Sequence, residues 1–300
     1  MTEGYERNYL DREIEVDILD ATRVKTQKNP VMPVRLTAAD SFCFSCKREN
    51  SCWNKCCHGA DITLTPYDIL RLSRNLGVRP AEFLLEHTFP ALWDKADLPV
   101  AKLKMAGEDG KGACPFMREN GCSVYEDRPA TCRYYPLGLA SVKMKGSEEK
   151  EDFFFLVKED HCEGHTKTKE LSVSAFREEQ GVPHYDDVNR GWIDILMKMA
   201  SWKVVGGPFG QDLTAQTKKM FFMVSTDVDS FRRFVFGSKF LETYDIDAEA
   251  LETLKTDDEA LVRLGFDWMK NVIFNDPTIN LKQEVLQRAI VKARQDMGAC

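Results

Sequence analysis

Long apolar runs are missing from this 300-residue chain. No stretch of about 18 apolar residues occurs, so no transmembrane helix is expected. The first twenty residues, MTEGYERNYLDREIEVDILD, are acidic and hold no continuous apolar core, so a secretory signal is not expected either. No run of Lys and Arg occurs and the net charge is −7, which gives no general attraction to nucleic acid or to an anionic membrane. Also absent are a Ser-His-Asp arrangement, a P-loop, an HExxH helix and a GxGxxG fingerprint. The Gly-Gly-Pro-Phe-Gly stretch at 206–210 reads as a break between helices, because no clear strand leads into it. There is no internal repeat and no low-complexity block.

Cysteine, by contrast, is abundant and clustered. Five of the ten cysteines, Cys43, Cys46, Cys52, Cys56 and Cys57, fall in FCFSCKRENSCWNKCCHG at 42–59. Cys114, Cys122 and Cys132 follow at gaps of seven and nine residues, Cys162 lies in EDHCEGH, and Cys300 ends the sequence. A cytoplasmic location is expected, where structural disulfides are rare, and a chain of this size builds an ordinary core without covalent staples. Metal is therefore the better account of the thiols. Thiolates are soft donors that suit zinc, iron–sulfur clusters and copper(I). The spacing matches neither the paired zinc knuckles nor the bacterial ferredoxin run, so zinc and iron, including an iron–sulfur cluster, both stay open. The vicinal pair Cys56-Cys57 favours a multinuclear arrangement if its backbone is extended, since neighbouring side chains then point to opposite faces. His58 and His161 each stand next to a cysteine, where either could replace a missing thiolate.

The succession Cys46…Cys52…Cys56-Cys57, LTPYDILRL, CPFM…GCSVYEDRPATCRYYP and a late Cys162-Glu-Gly resembles the YkgJ-type cysteine-cluster family, which has a zinc- or iron-chelating domain. The resemblance spans about residues 40–190. It implies Cys46, Cys52, Cys56, Cys57, Cys114, Cys122, Cys132 and Cys162 as metal ligands and leaves Cys43 and Cys300 as bystanders. The chain departs from the common family spacing, with gaps of five and three residues before the vicinal pair in place of two. The CCHG block is also similar to the flagellin lysine-N-methylase family, which implies protein methyl transfer as the alternative. Arg128 and Arg133 flank Cys132, and their guanidinium groups are expected to offset thiolate charge at the centre.

These patterns predict an α+β, predominantly helical protein. An arm at 1–39, with a short strand at 33–36, precedes a cysteine-cluster domain at 40–185, and a helical region fills 186–300. Thr65 as N-cap, Pro66 and Asp68 in the first turn and Gly77 as the stop predict a helix bearing Ile69, Leu72 and Leu76 on one face. A second short helix starts at Pro80, and the pair reads either as a support for the metal site or as plain packing. Residues 98–105, 139–144 and 153–157 read as strands, with KGSEEKED as the turn before the last. One small sheet of these strands would gather Cys114, Cys122, Cys132 and Cys162. Trp192, Leu196 and Met199 form a helical stripe, with Ile195 beside it. The expected partners are a metal ion and a protein, with no nucleic acid and no membrane.

Overall fold

The computed structural model describes residues 32, 34–143, 150–205 and 213–296. Most of the 1–39 arm, most of the KGSEEKED turn, the 206–210 loop and Cys300 lie outside them. The fold is α+β and mainly helical, with short antiparallel strand pairs in the cysteine-rich part and helices toward the C-terminus. No helix among the described residues is long and apolar enough to cross a membrane.

The chain divides into two compact units, Met1–Ile62 with Leu103–His184, and Thr63–Lys102 with Tyr185–Cys300. Residues 63–102 were read from the sequence as part of the 40–185 domain, yet they belong with the helical unit. Their apolar and polar contacts explain why. The Tyr67 ring meets Tyr185 edge-on at 4.7 Å, its amide donates to Asn189 Oδ1 at 3.1 Å, and its hydroxyl donates to Glu259 at 2.6 Å. The helix pair is thus packed among other helices.

In the first unit, strand Ser41–Cys43 pairs antiparallel with Glu170–Ser172, Phe42 opposite Leu171. Its inward side chains, with those just beyond it, build a core of Phe42, Phe44, Leu137, Phe154, Val173 and Phe176. Hairpin strands Leu137–Lys143 and Lys150–Leu156 pair in register from Leu137↔Leu156, and Leu36 extends the ladder by a bridge to Phe154. Phe153, Phe154 and Phe155 are all buried, so the strand is covered on both faces, unlike the alternating strands of a half-exposed sheet. Arg35 lies over the Phe153 ring at 4.5 Å, while Phe155 faces Gly138, where a Cβ would stand 2.2 Å from the ring.

In the second unit, the Pro66–Leu76 helix carries the expected capping box between Thr65 and Asp68, and Gly77 ends it at φ 66°. Ile69 and Leu72 are buried, whereas Leu76 is exposed at the last turn. Strands Thr63–Leu64, Leu98–Leu103 and Thr88–Trp93 form a three-stranded sheet with Leu98–Leu103 in the middle. The 98–103 strand therefore does not join 137–143 and 150–156, and the single sheet expected from the sequence is replaced by separate small ones. Trp192, Ile195, Leu196 and Met199 are buried along the Val182–Val205 helix. Phe231, Phe240 and Trp268 form an aromatic cluster closed by a hydrogen bond from Trp268 Nε1 to Tyr244 Oη at 2.9 Å.

Gly265, inside the Asp258–Phe274 helix, lets that helix approach its neighbours. A Cβ there would lie 2.6 Å from Val224 Cγ1 and 3.1 Å from the Phe231 ring. Gly265→Ala gains about 1 kcal/mol of helix propensity, but overpacking costs roughly 1–3 kcal/mol. Val224 is buried and stiff at χ1, so its methyl cannot swing clear. The variant is expected to unfold at lower urea concentration than the parent. An unchanged or raised midpoint would show that the contact relaxes freely.

Candidate metal centre

Past the strand at 41–43, backbone bonds zip the first cysteine block onto a distant segment. Phe44 N donates to Lys169 O at 3.0 Å and Ser45 N to Gly164 O at 3.1 Å. The chain then coils through successive turns, with Asn50 N bonded to Lys47 O, Trp53 N to Asn50 O and Lys55 N to Cys52 O, each at 3.0 Å. Asn54 takes a left-handed conformation at φ 65° and opens a 3₁₀ turn over Lys55–Cys57. This tight turn matters for the vicinal pair. The Cys57 thiol acts on that of Cys56 across this turn, so the opposite-faces constraint of extended backbone does not apply.

Cys162 arrives from the other segment. Its amide donates to Glu159 O at 3.0 Å, and the next amide, of Glu163, donates to Cys52 Sγ at 3.4 Å. The Glu163 carboxylate braces the junction, accepting from Ser51 N at 3.1 Å and from Ser51 Oγ. Gly164 is required for this approach, because a Cβ there would come within 2.5 Å of the Phe44 ring. The outcome is a shared field. Desolvation, then the thiols of Cys56, Cys52 and Cys162, push the Cys46 thiol up to about 11. Cys56 is raised further, first by its bond with Cys57, then by burial and by the charges of Cys57 and Glu159. Burial, with the neighbouring Cys162 and Glu159, likewise raises the Tyr135 hydroxyl.

The second block forms its own pair. Cys114 N donates to Cys57 O at 2.7 Å, and the two-residue strands Met117–Arg118 and Gly121–Cys122 fold back so that Cys114 and Cys122 act on each other. Both thiols are raised, mainly by burial, with backbone amides and the Arg118 charge opposing it. Cys132 is exposed on the short Ala130–Tyr134 helix and is coupled electrostatically to Arg128. Cys162 acts on Cys46, and the amide after it reaches Cys52, whereas the single sheet implied the second block.

The two arginines divide their work differently from the expectation. Arg133 is buried and donates through Nε to Arg128 O at 3.0 Å, through Nη1 to Gln180 O at 2.9 Å and through Nη2 to Glu126 O. Three carbonyls, two from the Tyr125–Asp127 turn and its cap and one from Gln180, are held by one guanidinium. Arg128 donates to Tyr125 O at 2.7 Å and to the Gln180 side chain, lies 3.9 Å over the Tyr125 ring, and feels both Cys122 and Cys132. His58 places Nδ1 3.1 Å from Asn54 O at the surface, and His161 pairs with Glu159 at 3.5 Å.

Sequence reasoning did not single out Tyr135 or Glu159; burial, the Cys162 thiol and the Glu159 charge act on the Tyr135 hydroxyl. The only signal for Glu159 was its place three residues before Cys162, on one turn. Among the described residues, no group of three or more His, Cys, Asp or Glu side chains is placed so that it could hold a metal ion. The donor chemistry fits a soft or borderline cation nonetheless. Thiols gathered in partial burial repel one another as thiolates, and a cation among them removes that repulsion.

Arg133→Gln takes the charged donor from three carbonyls, one bond buried and two partly buried, an effect of about 3 kcal/mol summed over the three. Arg128→Gln removes positive charge beside Cys122 and Cys132 and is expected to weaken metal retention by roughly 10–100-fold while costing less stability. Denaturant midpoints and metal content of the two variants check this division. Equal midpoints would contradict the structural role of Arg133.

Residues 45–163 match the family model CxxCxxCC, described as "Putative zinc- or iron-chelating domain". The match takes in both cysteine blocks and Cys162, both arginines, Tyr135 and Glu159, and it leaves out Cys43 and Cys300. No curated protein and no solved structure matches the chain. Over residues 45–163 the chain carries the CxxCxxCC domain, the family to which the YkgJ-type cysteine pattern belongs.

Proposed function

We propose that the protein binds zinc or iron through cysteine thiolates, with Cys46, Cys52, Cys56 and Cys162 as the principal donors and Cys57 beside them. Cys114, Cys122 and Cys132 form a second donor group, with Arg128 offsetting its charge and Arg133 fixing the loop that presents Cys132. The observation that carries this is the delivery of Cys162 onto the first block, with the Glu163 amide on Cys52 Sγ at 3.4 Å. As thiolates these groups repel one another, and a cation bound among them removes that repulsion.

Zinc held this way cross-links the unit, whereas iron, including an iron–sulfur cluster, adds electron transfer at the same sulfurs. Metal handling, redox work and partner recognition all follow from such a centre. Chelation leads over methyl transfer because the chelating family covers residues 45–163, while the likeness to the methylase rests on the CCHG block.

Protein purified without oxygen is expected to carry at least one tightly bound zinc or iron per chain, measured by elemental analysis. Visible absorption from thiolate-to-iron charge transfer selects iron. Cys56→Ser and Cys162→Ser should each lose metal and unfold more readily, since metal-binding free energy is also folding free energy. Cys43→Ser should do neither. Metal-free, fully folded protein with all thiols titratable would overturn the proposal.

A further inference from the structure

The two cysteine blocks meet through the backbone. His58 and Ala113 form an antiparallel bridge, flanked by bonds from Cys114 N to Cys57 O at 2.7 Å and from Gly59 N to Gly112 O at 3.0 Å. Cys57 and Cys114 therefore stand opposite each other, one residue along from the bridge on each segment. The 112–114 segment is fixed from its other side as well, since Gly112 N donates to Ala106 O at 2.8 Å and Ala106 N to Ala113 O at 2.9 Å. Two glycines allow this layering: a Cβ on Gly112 would stand 2.4 Å from Ala106 O, and Gly59 turns at φ 60°. A backbone bond of this kind across an antiparallel bridge holds the two Cα atoms about 5.5 Å apart. That lies within the roughly 4.4–6.8 Å that a disulfide spans. Both thiols are half-buried, so neither is sealed from a small reagent.

We propose that Cys57 and Cys114 are an oxidation site, forming a reversible disulfide that ties the two cysteine blocks together. The oxidant is a small disulfide of the glutathione class. One S–S bond forms between the two Sγ atoms, and the S–S bond of the small disulfide breaks. The protein pair gives up two electrons and two protons, and both appear in the two small thiols released. Where thiols are otherwise kept reduced, disulfides of this kind are transient and serve sensing. The disulfide itself stands apart from the chelation proposed above. Only its consequence rests on that reading: sulfurs joined to each other no longer serve as thiolate ligands, so oxidation withdraws Cys57 and Cys114 from a metal, and bound metal opposes oxidation.

The test uses metal-free full-length protein, incubated with oxidised glutathione, blocked with an alkylating agent, cut with trypsin and read by mass spectrometry without reduction. Cleavage after Lys55 and Arg71, and after Lys111 and Arg118, releases residues 56–71 and 112–118. These two peptides are expected to be linked, and dithiothreitol should separate them. Because 56–71 holds both vicinal cysteines, Cys56→Ser is expected to keep the link and Cys57→Ser to lose it. A link kept in Cys57→Ser and lost in Cys56→Ser overturns the assignment. So does parent protein that gives only glutathione adducts, or that joins Cys114 to Cys122. Zinc added before the oxidant should suppress the link. A link that forms equally fast with zinc present contradicts the metal consequence alone, whereas its absence from metal-free protein overturns the disulfide whatever zinc does.

Discussion

The cysteine-rich unit depends on one long-range pairing, that of Ser41–Cys43 with Glu170–Ser172. Closing so long a loop costs entropy, though the cost grows only slowly with length. Burial of aromatic side chains offsets it: Phe42 and Phe44 both meet the Phe176 ring edge-on, at 5.4 and 6.1 Å. Once that register is set, the thiol of Cys162 lies on the first block without further loop closure. The register also disposes of Cys43. It alternates with Phe42 and Phe44, so burying those two rings turns Cys43 outward, away from the other thiols. A slip of one residue would bury Cys43 and expose the rings.

The same pairing sets packing against electrostatics. The pairing brings the thiols together, desolvation and the neighbouring thiols raise Cys46 and Cys56, and the fold supplies local relief. That relief is the Glu163 amide on Cys52, amides near Cys114 and Cys122, and the guanidinium groups of Arg118 and Arg128. A cation bound among Cys46, Cys52, Cys56 and Cys162 would relieve the repulsion between their thiolates directly. The 3₁₀ turn at Lys55–Cys57 lifts the opposite-faces constraint on the vicinal sulfurs, so a single centre and a multinuclear one are each compatible with the backbone.

Local features were the most legible in the sequence. Thr65, Pro66, Asp68 and Gly77 specify a helix whose start and stop are decided within a few residues, and the structure has that helix at Pro66–Leu76. The Phe153–Phe155 run and the Trp192–Met199 stripe read correctly for the same reason: burial follows from side-chain chemistry. The clusters of cysteine were equally plain, because soft donors at such density have few uses. Tertiary partners were not. Residues 63–102 follow the vicinal cysteines in the chain but pack by Tyr67 on Tyr185 and Asn189, and no local pattern encodes that choice. Arg128 and Arg133 look alike beside Cys132. The carbonyls of Glu126 and Arg128, converging with that of Gln180, make Arg133 a structural brace. Glu159 was missed because acidic residues are common at surfaces and only its neighbours single it out.

The central claim is that Cys162 and the first block hold one centre together. Site-resolved alkylation of native protein, with zinc bound and after chelation, followed by mass spectrometry of each cysteine peptide, tests it most directly. Zinc should protect Cys46, Cys52, Cys56 and Cys162 together, with Cys43 modified at the same rate in both states. Protection of the first block while Cys162 reacts equally fast with and without zinc would contradict the account.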